Sequence, residues 1–363
     1  MKCLDNLLGK LAVQLMLAPR RPLSNPVPRK ILIIRPGGIG DAVLLIPVIR
    51  ILKNTFPEMD ITILAEKRNS AVFSFCPEIT GVISYDSPKD LLAAVRCKFD
   101  AVIDTEQWHC LSAVMARLVR SSLKIGYGTN MRRKLFTHMI DYSHNDYEIN
   151  SFLNLLSPLG VVQPKVPEYP FIHIPANIAH SVTAMLKPLS GRDFITLFPG
   201  ASTVEKRWDE GKFIALSKNL SEKGIVVVIV GSDSEKLIGE KIIASGCGLN
   251  LAGRTSLIES AAVIQRSSLL ISGDSGLLHI AVGLGVPTVS LFGPSNTSKW
   301  APKGARHIIV SGNLPCSPCS KFGYTPLCPI NVKCMADIAE EEVVAAVEKL
   351  LGKFQIGSAH DSI

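Results

Sequence analysis

Four loops and one cysteine cluster carry the side chains that could do chemistry. The first loop, R-P-G-G-I-G-D (Arg35 to Asp41), uses a glycine turn to deliver one carboxylate to the start of an apolar helical stretch. An aspartate there either caps the helix, held by free amides and the helix dipole, or faces a ligand that the backbone around Gly38 and Gly40 lets in. The second loop, F-P-G-A-S-T-V-E-K-R-W, permits close approach to the backbone at Gly200 and Ala201 and offers Lys206 as a point charge for phosphate. The third, I-V-G-S-D-S-E, ends a strand at Gly231 and opens a helix at Glu235. That carboxylate can accept from sugar or ribose hydroxyls, or equally cap the helix.

The fourth loop is the most informative. In L-L-I-S-G-D-S-G-L-L-H a buried strand ends at Asp274 and a helix begins at once, with His279 in its first turn. The amides of Ser275, Gly276, Leu277 and Leu278 form an anion site of the kind helix N-termini offer to phosphates. Cys316, Cys319, Cys328 and Cys334 stand at C-x2-C-x8-C-x5-C spacing. Four such thiolates could hold a structural zinc tetrahedrally, although the second pair is wider than a zinc knuckle's; unligated or disulfide-prone thiols are the main alternative, and an iron–sulfur site a lesser one. The other five cysteines are scattered, as small apolar residues are in a reducing compartment.

Several common sites are excluded. Read from Gly38, the first loop gives G-I-G-D-A-V, with Val43 where the dinucleotide fingerprint needs a small residue, and no G-K-[ST] follows. No D-x-D triplet occurs in the chain, which argues against a sugar-nucleotide site built on a divalent cation.

These loops need strands that end beside them. Strands are expected at Ile31–Ile34, Ile61–Leu64, Ala101–Ile103, Phe194–Phe198, Ile225–Val230, Leu269–Ser272 and Thr288–Phe292. Helical stretches fall between them at Asp41–Thr55, Leu111–Val119, Gly211–Lys223, Glu235–Ala244, Ser256–Arg266 and Gly276–Leu284, and a last one covers Ile338–Leu351. Alternation of buried, β-branched strands with helices predicts parallel sheets covered on both faces. A chain of 363 residues fits two such domains. Pro158, Pro164, Pro167, Pro170, Pro175 and Pro188 mark the change between them. Ligands then sit outside the carboxyl ends of the strands, where the four loops fall.

Apolar residues make up 47% of the chain and charged ones 19%, with a net charge of +8. No uncharged apolar run reaches 18 residues, so no spanning helix is expected. Residues 1–30 hold Lys2, Lys10, Arg20, Arg21, Arg29 and Lys30 against Asp5 alone. A second basic block, Arg117, Arg120, Lys124, Arg132, Arg133 and Lys134, lies in an acid-free stretch. Both suit an anionic partner such as a phospholipid or phosphorylated glycolipid. Leu4, Leu7, Leu8, Leu11 and Leu15 recur at helical spacing ahead of a basic, proline-rich tether, predicting an amphipathic helix that rests on a membrane surface or on the protein's own body.

In register, G-G-x-G-D, P-G-A-x4-K-R-W, G-D-S-G-L-L-H and L-F-G-P-S resemble the ADP-heptose:lipopolysaccharide heptosyltransferases of glycosyltransferase family 9 over about Ile31 to Lys349. The resemblance implies an α/β GT-B fold, two Rossmann-like domains with the active site between them. Their expected extents are an N-terminal helix and tether at 1–29, an acceptor domain at 30–165, a connection at 166–190 and a donor domain at 191–335. A C-terminal helix and tail at 336–363 would pack back on the N-terminal domain. It further implies inverting transfer of heptose from ADP-heptose, without a catalytic cofactor, to a lipopolysaccharide core precursor. Asp41 would be the base. Lys206 would meet the donor diphosphate, as would Asp274 with the amides of Ser275, Gly276, Leu277 and Leu278. Glu235 would lie near the nucleoside and Leu257 near the nucleobase, with Gly200, Ala201, Gly231 and His279 lining the same site. Gly38, Gly40, Arg132 and Arg133 would serve the acceptor. The implied setting is the cytoplasmic face of the inner membrane of a Gram-negative bacterium, with a glycolipid and not a nucleic acid as partner. A relative using another nucleotide-sugar and a nicotinamide-dependent oxidoreductase on two Rossmann-like units are the competing enzyme readings, and a non-catalytic membrane-surface binder of glycolipid or nucleic acid is the third, which the intact Asp41, Lys206 and Asp274 loops disfavour.

Overall fold

The computed structural model describes residues 5–22, 27–161 and 169–357, without the side chains of Asn6, Leu7 and 353–357. Leu4, the centre of the tether at 23–26, Pro164, Pro167 and the tail from 358 lie outside these residues. The chain divides into two compact units, Met1–Glu168 and Tyr169–Ile363.

The first unit holds β1 (Lys30–Arg35), β2 (Asp60–Ala65), β3 (Gly81–Ser84), β4 (Ala101–Asp104), β5 (Leu123–Tyr127) and β6 (His138–Ile140) in the order β3-β2-β1-β4-β5-β6. Every neighbouring pair is parallel. The second unit holds β7 (Phe194–Phe198), β8 (Val226–Ile229), β9 (Gly248–Asn250), β10 (Leu270–Gly273), β11 (Thr288–Phe292) and β12 (His307–Ser311), ordered β12-β11-β10-β7-β8-β9 and again parallel. Counted within its own unit, each sheet runs 3-2-1-4-5-6, the doubly wound order whose ligands sit where the winding reverses. Those reversal points are β1/β4 and β7/β10, so the loops after β1, β7 and β10 are topologically privileged.

Burial explains which strands announce themselves. β4, β8, β10 and β11 are buried at every position, and their near-continuous apolar sequences follow from helices covering both faces. The edge strands β3, β6 and β9 are only partly buried and carry no such run. β5 is central and buried but reads L-K-I-G-Y. Its Lys124 runs inward and donates to the carbonyls of Ala116 (2.7 Å) and Val119 (2.5 Å), closing the end of the helix Cys110–Leu118. Burial, reinforced by Arg117, lowers the Lys124 ammonium to about 8. This residue of the basic block is therefore interior.

Two boundary expectations change. From Tyr169 onward, the supposed connection belongs to the second unit. There the helix Ala176–Met185 packs on the helix Leu257–Gln265, and Arg266 Nη2 donates to Ala179 O (2.7 Å) and Thr183 Oγ1 (2.8 Å). The C-terminal helix Glu340–Gly357 packs within the second unit. Val343, Val347 and Leu350 are buried in the second unit's core together with Phe213, Val289 and Leu291. Side chains of this kind contribute about 1.5–3 kcal/mol each when fully buried, which fixes the helix where its apolar face is covered. Trp208 Nε1 and Lys212 Nζ both donate to Ile338 O just ahead of it.

Among the described residues no helix is long and apolar enough to cross a membrane. The expected N-terminal helix forms, as a π-turn at Asp5–Gly9 running into the α-helix Lys10–Leu15. It packs on Cys110–Leu118 and on the 3-10 turn Met131–Leu135.

Candidate functional site

In the first unit the loop after β1 enters the helix Ile39–Thr55 through Gly38, and Asp41 lies in the first turn. The residue whose backbone demands glycine is Gly37, at φ 108°, where a Cβ would also stand 3.1 Å from Arg35 Nη2. Gly38 is the N-cap, extended, with the Asp41 carboxylate beside its Cα.

Beneath this turn lies a charge network that the sequence reading missed. Arg35, at the end of β1, is 1% exposed. It donates from Nε to Pro36 O (2.7 Å) and from Nη1 to Thr105 O (3.0 Å), and Nη2 reaches Glu106 Oε2 at 3.2 Å and Asp41 Oδ2 at 3.7 Å. Burial works against the Arg35 cation, but the carboxylates of Asp41 and Glu106, with Glu148 and Asp104 beyond, raise its pKa overall. Burial likewise opposes Glu106 ionisation, yet Arg35, His109 and Arg132 bring its pKa below the usual range. Arg35 thus ties the loops after β1 and β4 together at the reversal point and sets a cation under Asp41. The only available signal was the pair of acids, Asp104 and Glu106, at the end of a buried strand.

Arg132 is a correction. Expected to meet the acceptor, it is fully buried, pairs with Asp104 and donates to Glu106 O. Lys134 and Arg117, from the same block, donate to Gln14 O (3.0 Å) and Leu17 O (3.0 Å) of the N-terminal segment. With Lys124 interior as well, Arg120 and Arg133 are the members left exposed without such a structural task.

In the second unit the loops after β7 and β10 meet. Lys206 Nζ lies 2.6 Å from Asp274 Oδ2, and the same oxygen accepts from Ser295 Oγ (2.6 Å) in the loop after β11. His279, 2% exposed, places Nε2 3.8 Å from Asp274 Oδ1, and its ring stands edge-on to Trp300 at 6.4 Å. Burial would raise the Asp274 pKa, but Lys206 and then His279 outweigh it and hold the carboxyl far below the ordinary carboxylate range. The helix Gly276–Gly283 begins here, capped by Ser275, whose Oγ accepts from Leu278 N (3.2 Å). Leu278 therefore spends its amide on its own cap, which leaves the amides of Gly276 and Leu277 at the open end of the helix.

Glu235 is the carboxylate of a capping box, accepting from Ser232 N (2.9 Å), Ser232 Oγ (2.8 Å) and Ser234 Oγ (2.7 Å). A Cβ on Gly200 would meet Glu235 Oε1 at 2.7 Å, and one on Gly231 would meet Glu235 Cβ at 2.9 Å. Both glycines let their loops close on Glu235. Gly253 N donates to Gly231 O (3.0 Å), bringing the turn before the Ser256-capped helix, and with it Leu257, against the same loop. Ala201 lies half-buried between Gly200 and the turn that carries Lys206.

Cys316, Cys319, Cys328 and Cys334 line one cavity, together with Pro294 and Glu205. Burial, then the neighbouring thiols, raises the pKa values of Cys319 and Cys334. Yet among the described residues no three His, Cys, Asp or Glu side chains are grouped closely enough to hold a metal ion. The thiols share a cavity without forming a coordination shell, so the geometry lends the zinc expectation no support.

The chain thus holds two doubly wound units, one with a carboxylate on its first loop and the other with a lysine and a helix amino end at its reversal point. Residues 90–325 match glycosyltransferase family 9 (heptosyltransferase), and the chain belongs to that family. It is 28% identical over 347 residues to lipopolysaccharide heptosyltransferase 3 of Escherichia coli, covering 88% of this chain and 98% of that one. Among solved structures it resembles a family 9 glycosyl transferase from Veillonella parvula (TM-score 0.74, 21% identity, 90% of this chain and 97% of that one). It is similar also to E. coli ADP-heptose lps heptosyltransferase II (TM-score 0.73, 22% identity, covering 90% and 99%).

Proposed function

We propose that this glycosyltransferase moves heptose from ADP-heptose to the inner core of a lipopolysaccharide precursor, inverting the anomeric centre in a single displacement. The acceptor hydroxyl oxygen bonds to the anomeric carbon, and Asp41 takes its proton. The bond from that carbon to the diphosphate oxygen breaks, and ADP leaves with the electron pair. Lys206 and the amides of Gly276 and Leu277 neutralise the charge that develops on it. The observation that supports this most is the Lys206–Asp274 pair at the amino end of a helix, 2.6 Å long and set at the sheet's reversal point. Arg35 Nη2 lies 3.7 Å from the Asp41 carboxylate, which also stands in the first turn of its helix. Proton transfer runs with bond formation, when the hydroxyl has become acidic. Such an acceptor places the enzyme at the cytoplasmic leaflet of a Gram-negative inner membrane.

Thermal unfolding with a panel of nucleotide-sugars tests the donor. ADP-heptose and ADP should stabilise the protein, by about 2.7 kcal/mol at a hundredfold excess over Kd, while UDP- and GDP-sugars should not. Preference for another nucleotide would favour the reading of a same-fold transferase with a different donor. Lys206→Ala should weaken ADP-heptose binding about 10- to 100-fold, the equivalent of one charge-assisted contact. Unchanged affinity would remove Lys206 from the diphosphate. The oxidoreductase reading falls with the family assignment.

For the cysteines a structural zinc rests on spacing alone. Elemental analysis of protein purified without chelator decides it: one equivalent of zinc, lost with Cys319→Ser, supports the site, and metal-free protein of equal stability rejects it.

A further inference from the structure

The N-terminal helix carries a narrow face of small and acidic residues and a broad leucine face, and the structure shows which one the body uses. Asp5, Gly9 and Val13, four residues apart, face inward. The Asp5 carboxylate accepts from the amides of Cys110 (3.1 Å) and Leu111 (2.6 Å) and lies 3.2 Å from His109 Nδ1, so it caps another helix from outside. At Gly9 even a Cβ would stand 3.0 Å from Cys110 Cβ, and Val13 is 1% exposed. Lys134 and Arg117 hold the far end by its carbonyls. The segment is therefore fastened at both ends through its narrow, small-residue face.

The leucines point the other way. Leu8, Leu11 and Leu15 are 47%, 51% and 77% exposed, and Leu17 continues the ridge at 80%. Lys10, Arg20 and Arg21 are exposed around them. Asp5, the sole acid of residues 1–30, is turned inward, so the segment itself presents no exposed carboxylate beside those cations. Exposed Leu118 follows Arg117 at one end, and Trp108, 41% exposed, precedes His109 at the other. Trp is a residue suited to the headgroup level of a bilayer.

We propose that this ridge is a contact for an anionic lipid surface: Leu8, Leu11, Leu15 and Leu17 enter the headgroup–acyl boundary while Lys10, Arg20 and Arg21 meet lipid phosphates. Charge complementarity selects this occupant over a neutral protein groove, since a segment whose exposed charged side chains are all cations, set around an apolar stripe, matches a surface apolar beneath and negative above. The proposal deepens the glycolipid-acceptor reading and rests on it for its purpose. Because the helix is fastened to the first unit, lipid contact would orient that unit and not merely tether it.

The test is co-sedimentation of the full-length protein with phosphatidylcholine vesicles, with and without phosphatidylglycerol. Wild type should partition onto the anionic vesicles, less so as salt rises. Leu8→Ser/Leu11→Ser/Leu15→Ser should lose about tenfold or more in partitioning, with its melting temperature and its response to ADP unchanged. Lys10→Gln/Arg20→Gln/Arg21→Gln should lose the preference for anionic vesicles. Equal partitioning of the leucine variant overturns the proposal. So does a wild-type dimer, formed without vesicles and abolished by the leucine substitutions, because the occupant would then be a second copy. Neither donor nor acceptor is present, so failure here leaves the transfer reaction standing, and failure of that reaction leaves vesicle binding untouched.

Discussion

Asp41→Asn should lower glycosyl transfer about a hundred- to ten-thousand-fold, the range for removing a general base, while the protein still binds ADP-heptose. The expectation rests on position. Asp41 sits in the first turn of the helix Ile39–Thr55, 20% exposed, over a buried guanidinium already engaged by Glu106. A carboxylate serving only as a helix-end charge would contribute about 0.3–1 kcal/mol of stability and nothing to turnover. The two roles therefore separate cleanly: the variant should melt within a few degrees of wild type and bind donor as before. Wild-type turnover in Asp41→Asn would return the residue to its capping role.

Arg132→Gln should destabilise the first unit by about 3–5 kcal/mol, the usual consequence of breaking a buried ion pair. Both side chains of the Arg132–Asp104 pair are fully buried, and Arg132 also donates to the carbonyl of Glu106. Burial raises the Asp104 carboxyl above the usual carboxylate range even with Arg132 opposing the shift, and the variant loses that opposition. Urea unfolding measures the loss. A second variant, Asp104→Asn/Arg132→Met, should recover much of it, because neither lone charge is then left buried. Arg133→Ala, at the exposed neighbour, should change stability by about 0.5 kcal/mol or less. If Arg132→Gln proved as stable as wild type and raised the acceptor KM alone, the acceptor role would be reinstated.

Arg132 also illustrates what a sequence hides. The central strands were legible because burial on both faces writes continuous apolar runs, and the loops after β1, β7, β8 and β10 were legible because each motif is local. R-R-K at Arg132–Lys134 looks uniformly solvent-facing. Only Asp104, 28 residues earlier, reveals that one arginine is interior, and only the N-terminal carbonyls reveal what Lys134 holds. Arg35 is likewise anchored to Thr105, 70 residues away. β5 was obscured by Lys124, and by Gly126, on which the Phe136 ring packs directly. The leucine repeat did announce the N-terminal helix, but not its orientation, since the inward face is made of an acid, a glycine and a valine.

The Lys206–Asp274 pair has a further consequence, for selectivity. A lysine that already holds a carboxylate at 2.6 Å is not an open receptor for anions. An incoming group must outbid Asp274 for the same ammonium, which chloride or another monoanion does poorly and a chelating diphosphate does well. Ser295 and His279 also stand beside Asp274, so the carboxylate would keep two partners on losing the lysine. On the proposed donor chemistry the site would therefore carry a charge threshold, passing over small anions and responding to the pyrophosphate bridge of an activated sugar.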